Sequence, residues 1–288
     1  MGVANVTEFA NSSTVSDVMS RLVAPALVKR VCMMNHMALD DLPQGTQTSN
    51  VTRRGSLSSA AIVAESTGVA INAELTDTQT QFQIAKAALV SALSVEALQF
   101  GNITPQRMAD EHAADIARFV DNDALSLFTG FTNSVTATST LTQDDLELAA
   151  FSIYNSDVPN PEMTFSCILS HRGHLNIKQE IRATGASAYR NESFLSVLQT
   201  NPQPNCFVGN IPGIGDIYAT SGHQVSASDT VQAVLHPMWA LAGAFAPSPV
   251  TWSDNKGSEG FYLEQASYFF YDVIEYNDAA GTQVLSDT

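Results

Sequence analysis

The stretch TPQRMADEHAADIARFVDNDALSLFTG, residues 104–130, decides how the rest of the chain is read. Thr104 stands where an N-cap oxygen is wanted, and Pro105 follows at the first helical position, where its missing N–H costs nothing. Met108, His112, Ile116, Phe119, Val120, Ala124, Leu127 and Phe128 recur at helical spacing and predict one apolar face. Gly130 is a C-terminal stop. At about 1.5 Å per residue, a helix over 104–129 is on the order of 37 Å long. A helix of that length suits a strut better than a compact enzyme.

Upstream, residues 46–84 read as a long β-hairpin. The return leg alternates Val69, Ile71, Ala73 and Leu75 with Ala70, Asn72 and Glu74. The alternation then changes parity, to Thr76, Thr78, Thr80, Phe82 and Ile84. Such a switch predicts a bulge or a strand passing between environments. Arg53-Arg54-Gly55-Ser56 with Ser58-Ser59 reads as the tip region. The outward leg, Thr46 to Arg54, offers little that is apolar, and an isolated two-stranded hairpin is marginal in water. A neighbouring subunit is the natural support.

Before the hairpin, Val15, Val18, Met19, Leu22 and Val23 recur at helical spacing until Pro25 interrupts them, so 1–45 reads as an arm with short helical pieces. Downstream of the long helix come a Thr/Ser-rich connection, a helix around Asp144–Asn155 and an apolar strand over Met163–Leu169. That strand runs into a helix carrying Leu175, Ile177 and Ile181. Gly209–Ser221 reads as a Gly/Pro loop with one short strand, Ile217-Tyr218-Ala219. Val231–Ala246 is apolar, and Phe261–Tyr276 is β-rich in composition.

The bulk numbers limit the function classes. With 288 residues, 44% of them hydrophobic, a sizeable core is available. A net charge of −16 with only 13 basic residues makes sequence-independent nucleic-acid binding unfavourable, because such affinity comes from Lys and Arg. The same charge predicts repulsion between copies. No apolar run spans a bilayer, and no secretory signal opens the chain, so no membrane association is expected. Cys32, Cys167 and Cys206 are sparse and odd in number, which predicts buried free thiols and a reducing compartment rather than a disulfide framework.

Motifs that carry chemistry are missing. His171 and His174 bracket Arg172-Gly173, but Arg172 would repel a cation and no further ligand stands at metal spacing. Asp110, Glu111, His112 and Asp115 imitate an acid/base cluster; carboxylates early in a helix are favoured by its dipole, and a solvated face is the better reading. Gly213-Ile214-Gly215 lacks the third glycine of a dinucleotide fingerprint. No catalytic activity, cofactor or metal is expected.

The order of elements resembles the coat fold shared by tailed-bacteriophage major capsid proteins, herpesvirus capsid floors and encapsulins. The likeness is also local. It includes Gln83-Ile84-Ala85-Lys86 through Val95-Glu96-Ala97-Leu98, and Phe165-Ser166-Cys167-Ile168-Leu169-Ser170 entering a helix. Val208-Gly209-Asn210-Ile211-Pro212-Gly213 with Asp216–Ser221, and Tyr271–Glu275 with Gly281–Leu285, complete it. The resemblance implies an α+β chain divided into an N-terminal arm (1–45), an extended loop (46–82) and a peripheral domain (83–145) with spine helix 104–129. An axial domain (146–244) and a return to the peripheral domain (245–288) follow.

By that resemblance the protein is a major capsid protein that self-assembles into pentamers and hexamers of an icosahedral shell around double-stranded DNA, in the virion, after assembly in the host cytoplasm. An encapsulin nanocompartment is the alternative within the fold; a soluble enzyme or binding protein is the alternative outside it. The absence of a long N-terminal scaffolding extension implies a separate scaffolding protein, beside a portal and a possible decoration protein. Some members of the fold join an extended-loop lysine to a neighbour's asparagine. The lysines here are Lys29, Lys86, Lys178 and Lys256, none of them in 46–82. A guanidinium stays protonated and cannot be the nucleophile. A non-covalent shell is therefore expected, with Arg53, Arg54, Glu65, Glu74, Asp110 and Glu111 as candidate inter-subunit contacts.

Overall fold

The computed structural model describes residues 23, 31–41, 48–54, 77–94, 105–156, 164–184, 206–211, 213–226, 229–246, 250–255 and 262–287. A 3-10 turn, Met33–His36, leads into β1 (Ala38–Asp41). β2 (Thr48–Arg54) and β3 (Asp77–Gln83) form an antiparallel pair in which Thr48 faces Gln83 and Arg54 faces Asp77. β4 (Ala85–Ser94) follows at once, and α1 (Pro105–Ser126) comes next.

Helix α1 has 22 residues, about 33 Å, and ends in a 3-10 turn, Leu127–Gly130, rather than continuing to 129. Its buried face keeps Met108, His112, Ile116, Val120, Ala124 and Phe128 of the expected one and adds Ala109, Ala113, Ala117 and Leu125. Phe119 is largely exposed, and the buried arc is centred on Ala109, Ala113, Ala117 and Val120. Alanines at the centre let the helix axis sit close to the sheet, and the bulkier side chains flank them.

After β5 (Ser134–Thr136) comes α2 (Gln143–Tyr154). A capping box starts it: Thr142 Oγ1 accepts from the Asp145 N–H, and the Asp145 carboxylate accepts from the Thr142 N–H at 2.9 Å. β6 (Phe165–Ser170) runs directly into α3 (His171–Thr184). The region read as a loop with one strand is a two-stranded unit, β7 (Phe207–Ile211) paired antiparallel with β8 (Gly215–Thr220). Gly213 takes a positive φ of 89° in the connecting turn. A Cβ at Gly215 would lie 2.0 Å from the Phe165 carbonyl oxygen. Both glycines are therefore explained by a turn and a close backbone approach.

β9 (Val225–Ser226), β10 (Asp229–Leu235), β11 (Leu241–Phe245), β12 (Val250–Asn255), β13 (Tyr262–Glu275) and β14 (Gly281–Asp287) complete the described strands. They form two larger sheets. One has five strands, ordered β1-β11-β13-β12 with β4 also on β13. The other has seven, ordered β5-β14-β10-β6-β8-β7 with β9 also on β10. A shared core joins them, containing Ala113, Val120, Phe269 and Tyr271 beside Phe165, Cys167, Val234 and Val284. Val23, from the segment expected to be helical, is buried in the same core; the rest of 15–22 lies outside the described residues, as does the return leg 69–75.

Candidate assembly surfaces

Helix α1 is fastened to the five-stranded sheet by polar contacts as well as by its apolar arc. His112 bridges two strands: its Nε2 meets Ser91 Oγ of β4 and its Nδ1 meets Ser267 Oγ of β13, both at 2.8 Å. Burial lowers the His112 pKa, against the opposing pull of Asp115 and Glu111, so the neutral ring is the one that bridges. The Tyr271 hydroxyl donates to Asp123 Oδ2 at 2.7 Å. Asp121 accepts from the backbone N–H groups of Cys32 (3.0 Å) and Met33 (2.9 Å), which ties the turn before β1 to the same helix. Burial raises the Asp121 pKa to about 6 despite those two bonds.

The opposite face of the five-stranded sheet carries the hairpin stem. Phe82 is fully buried there with Ala242 and Ala244, and Val51, Ile84, Ala38 and Ile274 pack around them. The Gln83 N–H donates to Asp272 Oδ2 at 2.6 Å, and Ser49 Oγ donates to Asp40 Oδ2 at 3.3 Å. The base of the hairpin thus rests on this chain's own sheet, a support the sequence reading assigned to a neighbour. Thr80 and Phe82 turn inward while Gln79 and Gln81 face out, as the alternation predicts. A further parity change at Ile84 brings Ala87 inward on β4, because the chain passes from one face of the sheet into the sheet itself.

Beyond the stem that face carries several exposed apolar side chains. Cross-strand register puts Val90, Ala266 and Trp252 in one row and Ala88, Tyr268 and Val250 in the next. Val90 is 54% exposed, Val250 52%, Trp252 46% and Phe270 38%. Four large apolar side chains on adjoining rows make a contiguous patch rather than scattered exposure. Lys86 caps its edge, with Nζ 3.8 Å from the Tyr268 ring centroid. A second apolar surface lies on α2, where exposed Leu148, Phe151 and Tyr154 line a groove of 680 Å³ beside Gly213, rimmed by Asp144 and Glu147. Composition and periodicity single out neither surface, since both depend on which neighbours the fold supplies.

Four of the six sequence-based contact candidates lie among the described residues, two on β2 and two on α1. Arg53 and Arg54 lie within β2, opposite Thr78 and Asp77, not in the hairpin tip. Glu65 and Glu74 lie outside the described residues. Asp110 is half-buried on α1, and exposed Glu111 pairs with Arg107 of its own helix at 3.1 Å. Of the acidic cluster, His112 belongs to the interior rather than to a solvated face. His171 is exposed while His174 is buried, and among the described residues no group of three His, Cys, Asp or Glu side chains could hold a metal ion.

No family model matches the chain, and no curated protein matches it in sequence. Solved structures match it in three dimensions. The capsid of Ralstonia phage GP4 matches with a TM-score of 0.66 at 9% identity, over 90% of this chain and 92% of that one. The acid-stable capsid of Helicobacter pylori bacteriophage KHP30 gives 0.66 at 12% identity, over 88% of each chain. The head structure of Helicobacter pylori bacteriophage KHP40 gives 0.63 at 9% identity, over 100% of this chain and 95% of that one. This chain has the phage capsid fold. The element order read from the sequence therefore holds at the level of fold.

Proposed function

We propose that this protein is a bacteriophage major capsid subunit, which self-assembles into pentamers and hexamers of an icosahedral shell enclosing double-stranded DNA. The observation that carries the reading is a capsid fold matched along essentially the whole chain. The exposed apolar side chains beside the hairpin stem support it, because contiguous exposed apolar patches mark interaction sites. A second copy is the occupant this reading requires, and extensive interfaces of such assemblies exceed about 2,000 Å² in total.

The protein acts as a structural component of the virion, without catalytic activity, and assembles in the host cytoplasm. A separate scaffolding protein and a portal are its expected partners, with a decoration protein as a possible addition. The chain divides into arm 1–45, extended loop 46–82, peripheral domain 83–145, axial domain 146–244 and return 245–288. Arg53 and Arg54 offer bidentate donors to carboxylates of an adjacent subunit. Glu65, Glu74, Asp110 and Glu111 are the acidic candidates. With −16 charges per subunit, closure is opposed by repulsion that salt screens over about 8–10 Å. The same charge keeps the inner wall from holding DNA tightly.

Negative-stain imaging of the purified protein across a salt series tests the reading. Capsomers or closed shells, favoured by moderate salt, are expected. A protein that stays monomeric at every salt and protein concentration overturns it. Particles boiled in SDS should run as one band at 30.8 kDa, and a ladder resistant to reductant overturns the non-covalent shell.

A further inference from the structure

The fold brings two of the three cysteines together although 174 positions separate them in the chain. Cys32 sits immediately before the 3-10 turn Met33–His36, and Cys206 immediately before β7. Three contacts make the two positions abut. The His36 ring lies 4.1 Å from the Tyr218 ring of β8. The next residue, Ala219, donates its N–H to the Cys206 carbonyl at 2.9 Å. The Cys32 and Cys206 thiols share a hydrogen bond. Cys167 stands apart, fully buried in β6, where burial pushes its thiol up to about 12.

We propose that Cys32 and Cys206 are an oxidisable thiol pair that closes into an intrachain disulfide, stapling the segment before β1 to the β7–β8 unit. The two sulfurs are not equivalent. Cys32 is fully buried, whereas Cys206 is partly exposed and gives a dissolved oxidant its way in. The shared hydrogen bond favours the thiolate on Cys206 and disfavours it on Cys32. Cys206 also holds a left-handed backbone, φ 59°, a conformation ordinarily left to Gly or Asn, so this position keeps a thiol at a backbone cost.

The chemistry balances with a low-molecular-weight disulfide as oxidant. The Cys206 thiolate attacks one sulfur of that disulfide, forming a mixed disulfide and releasing one thiolate, which takes up a proton. Cys32 then gives up its proton and attacks the Cys206 sulfur, expelling the second small thiol. Two protein thiols lose two protons and two electrons, and one small disulfide becomes two thiols. A reducing cytoplasm holds the pair open. Closure after release of a particle would be a post-assembly stiffening; that timing, unlike the chemistry, rests on the capsid reading.

The test treats the purified full-length protein with oxidised glutathione, then blocks remaining thiols and maps peptides without reductant. The expected product has one free thiol in place of three, a linked peptide pair containing Cys32 and Cys206, and a Tm raised by several degrees and restored by reductant. Cys32→Ser should stop at a persistent glutathione adduct on Cys206. Cys206→Ser should leave Cys32 unmodified in the folded protein. An unchanged thiol count, a stable adduct on the wild-type protein, or a link joining Cys206 of two copies overturns the proposal. The subunit alone is enough for this test, so its outcome is independent of whether shells form.

Discussion

Among the described residues the seven-stranded sheet is covered on both faces, whereas the five-stranded sheet is covered fully on only one. In the first, β10 and β6 are buried residue after residue. Gln232 packs against Gly173 of α3, and Phe165 meets Tyr154 of α2, on one side. His36 reaches Ser166 and Tyr218 on the other. In the second, β13 buries Gln265, Ser267, Phe269, Tyr271 and Val273 toward α1, while Phe270 and the neighbouring Trp252, Val250 and Val90 stay exposed. The two regions differ in whether their own chain completes the burial. Stability of the isolated chain is expected to depend on the first sheet and the α1 side of the second, and the proposed function assigns association to the exposed face.

The largest expected effect comes from breaking the closed side. Phe165→Ala empties a fully buried aromatic site between α2 and the sheet. It should cost about 3–5 kcal/mol in a urea titration of the subunit. A loss below about 1 kcal/mol would mean that the seven-stranded sheet is not the stabilising unit.

Acid should act next, through His36. Burial lowers its pKa from 6.5 to about 4. A lowered histidine pKa adds stability that is present above 6.5 and is lost as pH falls toward 4. His112 and His223 are shifted in the same direction, also chiefly by burial. Asp121, raised to about 6, acts in the opposite sense: its stabilisation is present below 3.8 and lost as pH rises through about 6. Between pH 7 and pH 4 the wild type should lose up to about 3 kcal/mol more than His36→Gln. Equal losses in denaturant titrations at the two pH values would remove His36 from the account.

His112→Ala sharpens the comparison within the five-stranded sheet. It leaves the hydroxyls of Ser91 and Ser267 without their shared partner under α1. The expected cost is about 1–3 kcal/mol in subunit stability. His112→Gln, which can keep at least one of the two bonds, should recover part of it.

The smallest effect on the subunit should accompany the largest effect on association. Trp252→Ala on the open face should change the unfolding free energy by less than about 1 kcal/mol. It should weaken association by about tenfold or more, since Trp is a frequent interface anchor. A urea titration reads the first quantity, and sedimentation of mutant and wild type side by side reads the second. A mutant that unfolds easily but assembles normally would reverse the assignment of the two regions.

Much of this arrangement was legible in the sequence because it is local. Pro105, the periodic apolar residues to Phe128 and Gly130 mark α1 to within a few residues, since helix start, face and stop depend on near neighbours in the chain. The hairpin stem was legible for a similar reason: strand alternation places Thr80 and Phe82 inward. The contact candidates were less so. A charge in a hairpin or on a helix says nothing of what faces it, and Glu111 turns out to pair with Arg107 four residues away on its own helix.

What the sequence determined by itself is the class of molecule: an acidic α+β chain with a long helix, a polar hairpin stem and no motif for catalysis, because each of these depends on composition or on near neighbours. Tertiary structure alone decided that Phe119 of α1 stays largely exposed while Ala109, Ala113 and Ala117 are buried against the sheet. It also decided the meeting of Cys32 with Cys206 and the placing of exposed Val90 and Trp252 in one row, on either side of Ala266. Those features join residues far apart in the chain. Their proximity is set by how two sheets share one core, a relation that no local pattern of side chains encodes.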